Sequence, residues 1–241
     1  MAAPTLEAIK YDAATGLQLL DQLQLPFHFR YDEIADCEQG WAAIREMRVR
    51  GAPAIAIAAA LALCVDAKNK LGSFDSMTAA SEWLVDRLAY LRTSRPTAVN
   101  LFNECDKLEA FVRALSGSAA SEFVKPVQTA DEVLLGYIER AEQLLAKDIE
   151  DNQAIGRFGA DAIATGQGQV KVLTHCNTGS LATARYGTAL GVIRALHERG
   201  MHVLRLFACD GMCLDANAVR RQGSSSMLFA PRQGLTTRVV G

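Results

Sequence analysis

The chemistry-bearing residues of this chain gather in one short stretch, Thr174-His175-Cys176-Asn177-Thr178-Gly179-Ser180. A strand-type run, Val170 to Leu173, precedes it, and a small-residue run of helical character, Leu181 to His197, follows. Cys176 is therefore expected where a strand stops and a helix begins. In an open α/β sheet that turn borders the crevice in which ligands bind. A helix start also offers unpaired backbone N–H groups and the positive end of the helix dipole. Both favour a thiolate over a thiol and make the sulfur a candidate for proton transfer or charge stabilisation. The position suits a buried structural cysteine as well, and position alone leaves both readings open. His175, adjacent on the strand end, is expected to point the other way and reads as structural.

The elements that must position this stretch follow from patterning. Leu6 to Tyr11 and Leu17 to Leu25 read as strands of a hairpin turning at Ala14-Thr15-Gly16. Asp36 is a plausible N-cap for a helix running to about Met47, which Arg48-Val49-Arg50-Gly51 breaks. Ala52-Pro53 then opens an apolar helix, with the proline in a tolerated first-turn position. Its apolar run, Ala52 to Val65, is shorter than the ~20 residues a bilayer span needs and reads as a buried core helix. Further helices are expected at about 76–92, 98–115, 130–147 and 152–165, the last closed by Gly166-Gln167-Gly168. From Val170 the pattern changes to strand–turn–helix, the opening of a parallel α/β domain, and His202 to Ala208 resembles its second strand.

The fold class is thus α/β overall. Residues 1–150 form a mainly helical domain with a small β element; residues 151–200 supply a linker helix and the first βα unit of a Rossmann-like domain. Residues 201–241 form an aberrant tail, expected to be poorly ordered. A parallel sheet needs both faces covered, so the unit from Val170 to Leu196 is expected to leave apolar faces exposed.

A net charge of −2 argues against a general nucleic-acid surface or a polybasic membrane surface. The six cysteines, at 37, 64, 105, 176, 209 and 213, are too scattered for a disulfide framework, and no signal peptide is evident, so a reducing compartment is expected. Cys209 and Cys213 lack a second ligand pair, which argues against zinc. Asp32-Glu33 and Glu150-Asp151 read as solvated charges. His28 and His197 have no visible partner, and no P-loop or GxGxxG motif is present.

Four separated motifs carry a resemblance. They are Arg48-Val49-Arg50-Gly51-Ala52-Pro53-Ala54-Ile55, Ser94-Arg95-Pro96-Thr97-Ala98-Val99-Asn100, Leu173-Thr174-His175-Cys176-Asn177-Thr178-Gly179 and Tyr186-Gly187-Thr188-Ala189-Leu190-Gly191. Together, and in this order, they resemble the methylthioribose-1-phosphate isomerase family of methionine salvage, related to the regulatory subunits of translation initiation factor 2B. The resemblance covers about residues 5 to 200. It implies an aldose–ketose isomerase acting on a sugar phosphate, without metal or organic cofactor, in a homodimer located in the cytoplasm and also the nucleus. It implies Cys176 as the catalytic residue and Arg50, Gly51, Ala52 and Arg95 as substrate-binding residues.

The chemistry fits these residues. A sugar phosphate with its phosphate on the anomeric carbon must be held as a dianion, its ring opened, and hydrogen moved between C1 and C2. A guanidinium fork beside a glycine backbone suits the phosphate, although a surface arginine before a helix-breaking glycine would look the same. Arg95 before Pro96 has the same two readings. Gly179-Ser180 could add backbone donors at the following helix start. Arg185 departs from the family, which has a small residue there, and a bulky cation on that helix is expected to disturb packing near the site. Related readings are a ribose-1,5-bisphosphate isomerase and a non-catalytic regulatory subunit; the thiol of Cys176 beside Arg50-Gly51 favours an enzyme.

After Gly200 the family pattern is expected to stop. The family's segment Cys-Thr-Glu-Thr-Arg-Pro-Tyr-Asn-Gln-Gly-Ser-Arg and its later catalytic aspartate are not found in the chain. Yet codons can be chosen for Gly234 to Gly241 such that reading from two bases further on yields Pro-Tyr-Asn-Gln-Gly-Ser-Arg. Met201 to about Gln222 is therefore expected to be translated intron or its equivalent, followed by out-of-frame exon; a genuine short isoform is the alternative. On this reading the chain itself has little or no isomerase activity.

Overall fold

The computed structural model describes residues 6–119, 121–164, 169–175, 177–208 and 228–229. The N-terminal unit opens with an antiparallel meander, β1 (Ile9–Asp12), β2 (Gly16–Leu20) and β3 (Tyr31–Ile34). Ile9 pairs with Leu19 and Leu17 with Ile34, so the alternating apolar side chains share one buried face. β2 ends five residues before the expected Leu25, because Asp21 starts a turn. Its carboxylate accepts from Leu23 N (3.0 Å) and Gln24 Nε2 (2.7 Å). β3 was not expected: a four-residue strand carries too short a pattern to be read.

Asp36 caps α1 (Cys37–Arg45) by accepting from Gln39 N at 2.8 Å. α2 (Ala52–Asn69) is the apolar helix and extends beyond Val65. Its length and composition would allow a bilayer crossing, but it lies at the centre of the core, packed by α1, α3 (Met77–Arg92), α4 (Val99–Leu115) and α5 (Ala130–Ile163). Gly40 lets α1 approach α2 closely: a Cβ there would stand 2.3 Å from that of Ala62.

α5 runs unbroken over Ala130–Ile163, 34 residues, where two helices were expected. Thr129 and Glu132 close a capping box at its start. The charged stretch Asp148-Ile149-Glu150-Asp151 contains no glycine or proline, so nothing interrupts the backbone ladder, and the boundary expected near residue 150 falls inside the helix. Gly156 and Gly159 are tolerated within it because α6 (Ala189–Glu198) and Tyr186 just before it pack there: added Cβ atoms would lie 2.7 Å from Tyr186 Cε1 and 2.6 Å from Val192 Cγ2.

The second unit begins with β4 (Gln169–His175), passes through a single 3-10 turn (Ser180–Ala182) to α6 (Ala189–Glu198), and returns as β5 (His202–Ala208). β4 and β5 pair in parallel from Gln169↔His202 to His175↔Ala208, and β6 (Leu228–Phe229) adds to β5, also in parallel. A mainly helical unit with a small antiparallel sheet is thus followed by the opening βαβ unit of a Rossmann-like parallel sheet, the expected α/β class. The apolar residues expected to be exposed over 170–196 are in large part covered. Leu181, Ala182 and Ala184 are buried, and Ala195 and Leu196 pack with Ala160 of α5. The tail residues 209–227 and 230–241, Cys209 and Cys213 among them, lie outside the described residues.

Candidate functional site

The site is built at the N-terminus of α2. α1 ends in a reversal at Met47 (φ +63°), and both Arg48 N and Val49 N donate to Ala43 O, which buries Val49 completely. The two arginines of the motif then part company. Arg48 pairs with Asp32 (2.5 Å) and Glu46 (3.0 Å). Burial lowers its proton affinity, but the two carboxylates outweigh this and raise it. Arg48 is thus a structural ion pair, and Asp32, expected as a solvated charge, bridges Arg48 and Arg30. Arg50 donates through Nη2 to Gln22 O at 3.0 Å and stays partly buried. Burial lowers its proton affinity, against the pull of Asp21.

Gly51 is the N-cap of α2 at φ +102°, a left-handed conformation that glycine adopts without strain. A Cβ there would lie 2.3 Å from Ala182 Cα. The Arg50-Gly51-Ala52 corner therefore presses directly on the segment that follows Cys176. Gln22 Nε2 donates to Leu181 O (3.0 Å), Ala8 N to Ala184 O (3.2 Å), and Ala184 N to Asp148 Oδ2 (2.8 Å). Three elements of the N-terminal unit thus clamp residues 180–184.

This arrangement corrects the expected helix start after Cys176. No α-helix begins at Gly179-Ser180; α6 begins ten residues later, at Ala189. The chain must first turn at Gly187 (φ +88°), where a Cβ would meet Gly179 C at 2.6 Å, so the two glycines stack. Thr188 N and Leu190 N both donate to Thr178 O (2.9 and 3.3 Å), and Gly187 N donates to Thr183 Oγ1 (3.0 Å). These bonds hold the irregular segment and leave Ser180–Ala182 only as a short 3-10 turn. The helix N-terminus beside this segment belongs to α2 instead. Arg50 immediately precedes its N-cap, Gly51, and a cation next to a helix start is a combination suited to a phosphate.

Cys176 lies outside the described residues, so its reactivity stays an expectation. The residues on either side show how the loop is closed: Thr174 Oγ1 and Thr178 Oγ1 stand 3.3 Å apart. Arg95 sits in the turn between α3 and α4, anchored by Ser94 Oγ donating to Leu91 O (2.6 Å) and by Ala98 N donating to Arg95 O (3.0 Å). Its Nη1 is buried and has no hydrogen-bond partner, and no bond joins Arg95 to the Arg50 corner among the described residues. Arg185 does not lie on a helix and does not crowd the site. It ion-pairs with Glu7 at 3.1 Å and ties the N-terminal sheet to the 180–188 segment.

Two contributors escaped the sequence reading, Gln22 and Asp148. Asp148 has a recoverable signal, since it and Asn152 fall on the stripe of α5 that also carries Ala141, Gly156 and Ala160. Burial raises the Asp148 carboxyl, against hydrogen bonds from Ala184 N and Asn152 that lower it. By contrast, Glu150 and Asp151 are exposed, as expected.

The Initiation factor 2 subunit family model matches residues 48–212, somewhat past the point at Gly200 where the resemblance was expected to stop. The chain is 50% identical over 200 residues to the methylthioribose-1-phosphate isomerase of Aspergillus terreus, covering 80% of this chain and 51% of that protein. It is 47% identical over 203 residues to that of Talaromyces marneffei, covering 80% and 50%. The structure is similar to 5-methylthioribose 1-phosphate isomerase from Pyrococcus horikoshii, with a TM-score of 0.68, 28% identity and 85% and 52% coverage. It is similar also to translation initiation factor eIF-2B, subunit delta, from A. fulgidus, with a TM-score of 0.66, 32% identity and 84% and 54% coverage. The chain spans about half the length of the curated relatives it matches. With the family model covering well over half of its residues, the chain belongs to the initiation factor 2 subunit family.

Proposed function

We propose that this chain carries the N-terminal half of an aldose–ketose isomerase site for 5-methylthioribose 1-phosphate. The observation that carries the reading is the corner at the α2 N-terminus, where Gly51 packs on Ala182 and Gln22 bonds both the Arg50 guanidinium and Leu181 of the buried segment that follows Cys176. The names of the relatives with 47% and 50% identity supply the substrate.

In this reading Arg50 and the backbone at Gly51 and Ala52 hold the phosphate dianion. Arg95, with a buried donor to satisfy, makes a second substrate contact. The Cys176 thiol moves a proton or stabilises charge as hydrogen passes between C1 and C2 of the opened sugar. Cytoplasmic and nuclear location and a homodimeric state belong to the same proposal.

The test is Cys176→Ser in a chain extended to the length of its relatives. It should lower kcat with little change in KM and leave Tm nearly unchanged. A protein that turns over normally but melts early would assign Cys176 to packing. A regulatory-subunit function would instead give no turnover by the extended wild-type protein.

A further inference from the structure

One buried side chain outside the recognised motifs touches both halves of the site. Gln22 is 1% exposed and sits just after β2, where the strand gives way to the Asp21 turn. Its N–H donates to Arg48 O at 2.9 Å, its carbonyl accepts from Arg50 Nη2 at 3.0 Å, and its Nε2 donates to Leu181 O at 3.0 Å. Leu181 lies in the 3-10 turn whose next residue, Ala182, packs against Gly51. A carboxamide is an expensive group to bury unless its bonds are made, and this one spans 159 positions of sequence to reach a single carbonyl. An apolar residue of the same size would fill the space without that cost, so the carboxamide does something other than fill space.

We propose, on the reading of the site given above, that Gln22 is a positioning residue: its backbone carbonyl aims Arg50 while its carboxamide fixes the 180–182 turn, holding the phosphate-binding group and the segment that follows Cys176 at one separation. The two roles are separable. Substituting the side chain removes the bond to Leu181 and keeps the backbone carbonyl that Arg50 uses. Gln22→Leu leaves the Leu181 carbonyl without its donor. Gln22→Glu sets a carboxylate against that carbonyl when ionised, and restores a donor when protonated.

The test is the rate of Cys176 alkylation by iodoacetamide in the whole chain, resolved by peptide mass spectrometry. Cys37, Cys64 and Cys105 are buried and report global loosening. Gln22→Leu should change the Cys176 rate at least about threefold relative to wild type, the scale of one buried hydrogen bond, with the three buried cysteines unchanged. Gln22→Glu should differ from wild type as strongly at about pH 8 and move back toward it as the pH is lowered and the buried carboxyl, raised by burial, regains its proton. Packing alone would not produce that recovery. Cys176 rates within twofold of wild type in both variants at every pH, or rates that move only together with the buried cysteines, would overturn the proposal. A parallel wild-type arm with 5-methylthioribose 1-phosphate tests the site reading separately. Protection of Cys176 supports it, and absence of protection removes the substrate assignment while the variant rates still decide the role of Gln22.

Discussion

Arg95 carries a buried guanidinium nitrogen that has no hydrogen-bond partner among the described residues. Leaving a buried donor unsatisfied costs about 1–3 kcal/mol, a cost that a bound phosphate would offset. Arg95→Leu is therefore expected to weaken sugar-phosphate binding about tenfold or more and to leave Tm unchanged or slightly higher, as measured by titration calorimetry and thermal unfolding. A Tm several degrees lower with binding intact would make Arg95 a fold residue. At this scale the motif residues were legible because their types are adjacent in sequence: Arg50-Gly51-Ala52 announces a cation, a permissive backbone and a helix start. Gln22 was not, because its partner lies 159 positions away; Asp148 showed only its place on the buried stripe of α5, its partner lying 36 positions away. Sequence also could not separate Arg48 from Arg50; only the carboxylates of Asp32 and Glu46 assign the former to structure.

The junction between α2 and the 180–184 segment is the element on which the site depends, and Gly51 is its contact point. An alanine there needs a left-handed backbone, about 1–2 kcal/mol unfavourable for an L-residue, and pushes Cβ to 2.3 Å from Ala182 Cα. Gly51→Ala is expected to cost at least about 3 kcal/mol in urea unfolding; a loss below about 1 kcal/mol would show that the two segments separate easily. Elsewhere a polar cluster ties β1 to α2 and α5: Tyr11 Oη donates to Glu142 Oε1 (2.5 Å), and Lys68 Nζ donates to Tyr11 Oη (2.7 Å) and Glu142 Oε1 (3.0 Å). Burial alone would raise the Glu142 carboxyl, but the bonds from Tyr11 and Lys68 and the charge of Lys68 hold it below its ordinary value. Its contribution to stability is therefore present above the unfolded carboxyl pKa and lost as pH falls through the depressed folded one. Glu142→Gln should flatten that acid limb in unfolding measured across pH, and an unchanged limb would discount the cluster. Helical patterning made the helices legible, helped at α1 by the Asp36 cap and at α2 by Pro53 in the first turn. The irregular 177–188 segment was not, because its small apolar residues imitate a helix while Gly187 and the bonds to Thr178 O impose a turn.

The molecule as a whole is less divided than its sequence suggests. α5 passes without a break from the core of the N-terminal unit to the packing face of α6, and residues 179–184 are buried against α2 and the first sheet. Limited proteolysis is accordingly expected to leave a resistant fragment that reaches about Arg199, where α6 closes on α5 through the Arg199–Asp161 ion pair. A fragment ending before Gly168 would mean that the βα unit does not dock. Sequence pattern identified the helical and parallel units and their order, but it could not show the docking, which rests on glycine contacts and single hydrogen bonds between distant positions.

The central claim, a phosphate-holding corner at Arg50 and the α2 N-terminus, is tested most directly by calorimetric titration of the chain and its Arg50→Leu variant with 5-methylthioribose 1-phosphate. Saturable binding by the wild-type chain is expected, with at least about tenfold weaker binding by a variant of equal helical content, the scale of a lost charge-assisted phosphate contact. Wild-type binding that survives Arg50→Leu unchanged, or no binding by the folded wild-type chain, would contradict it.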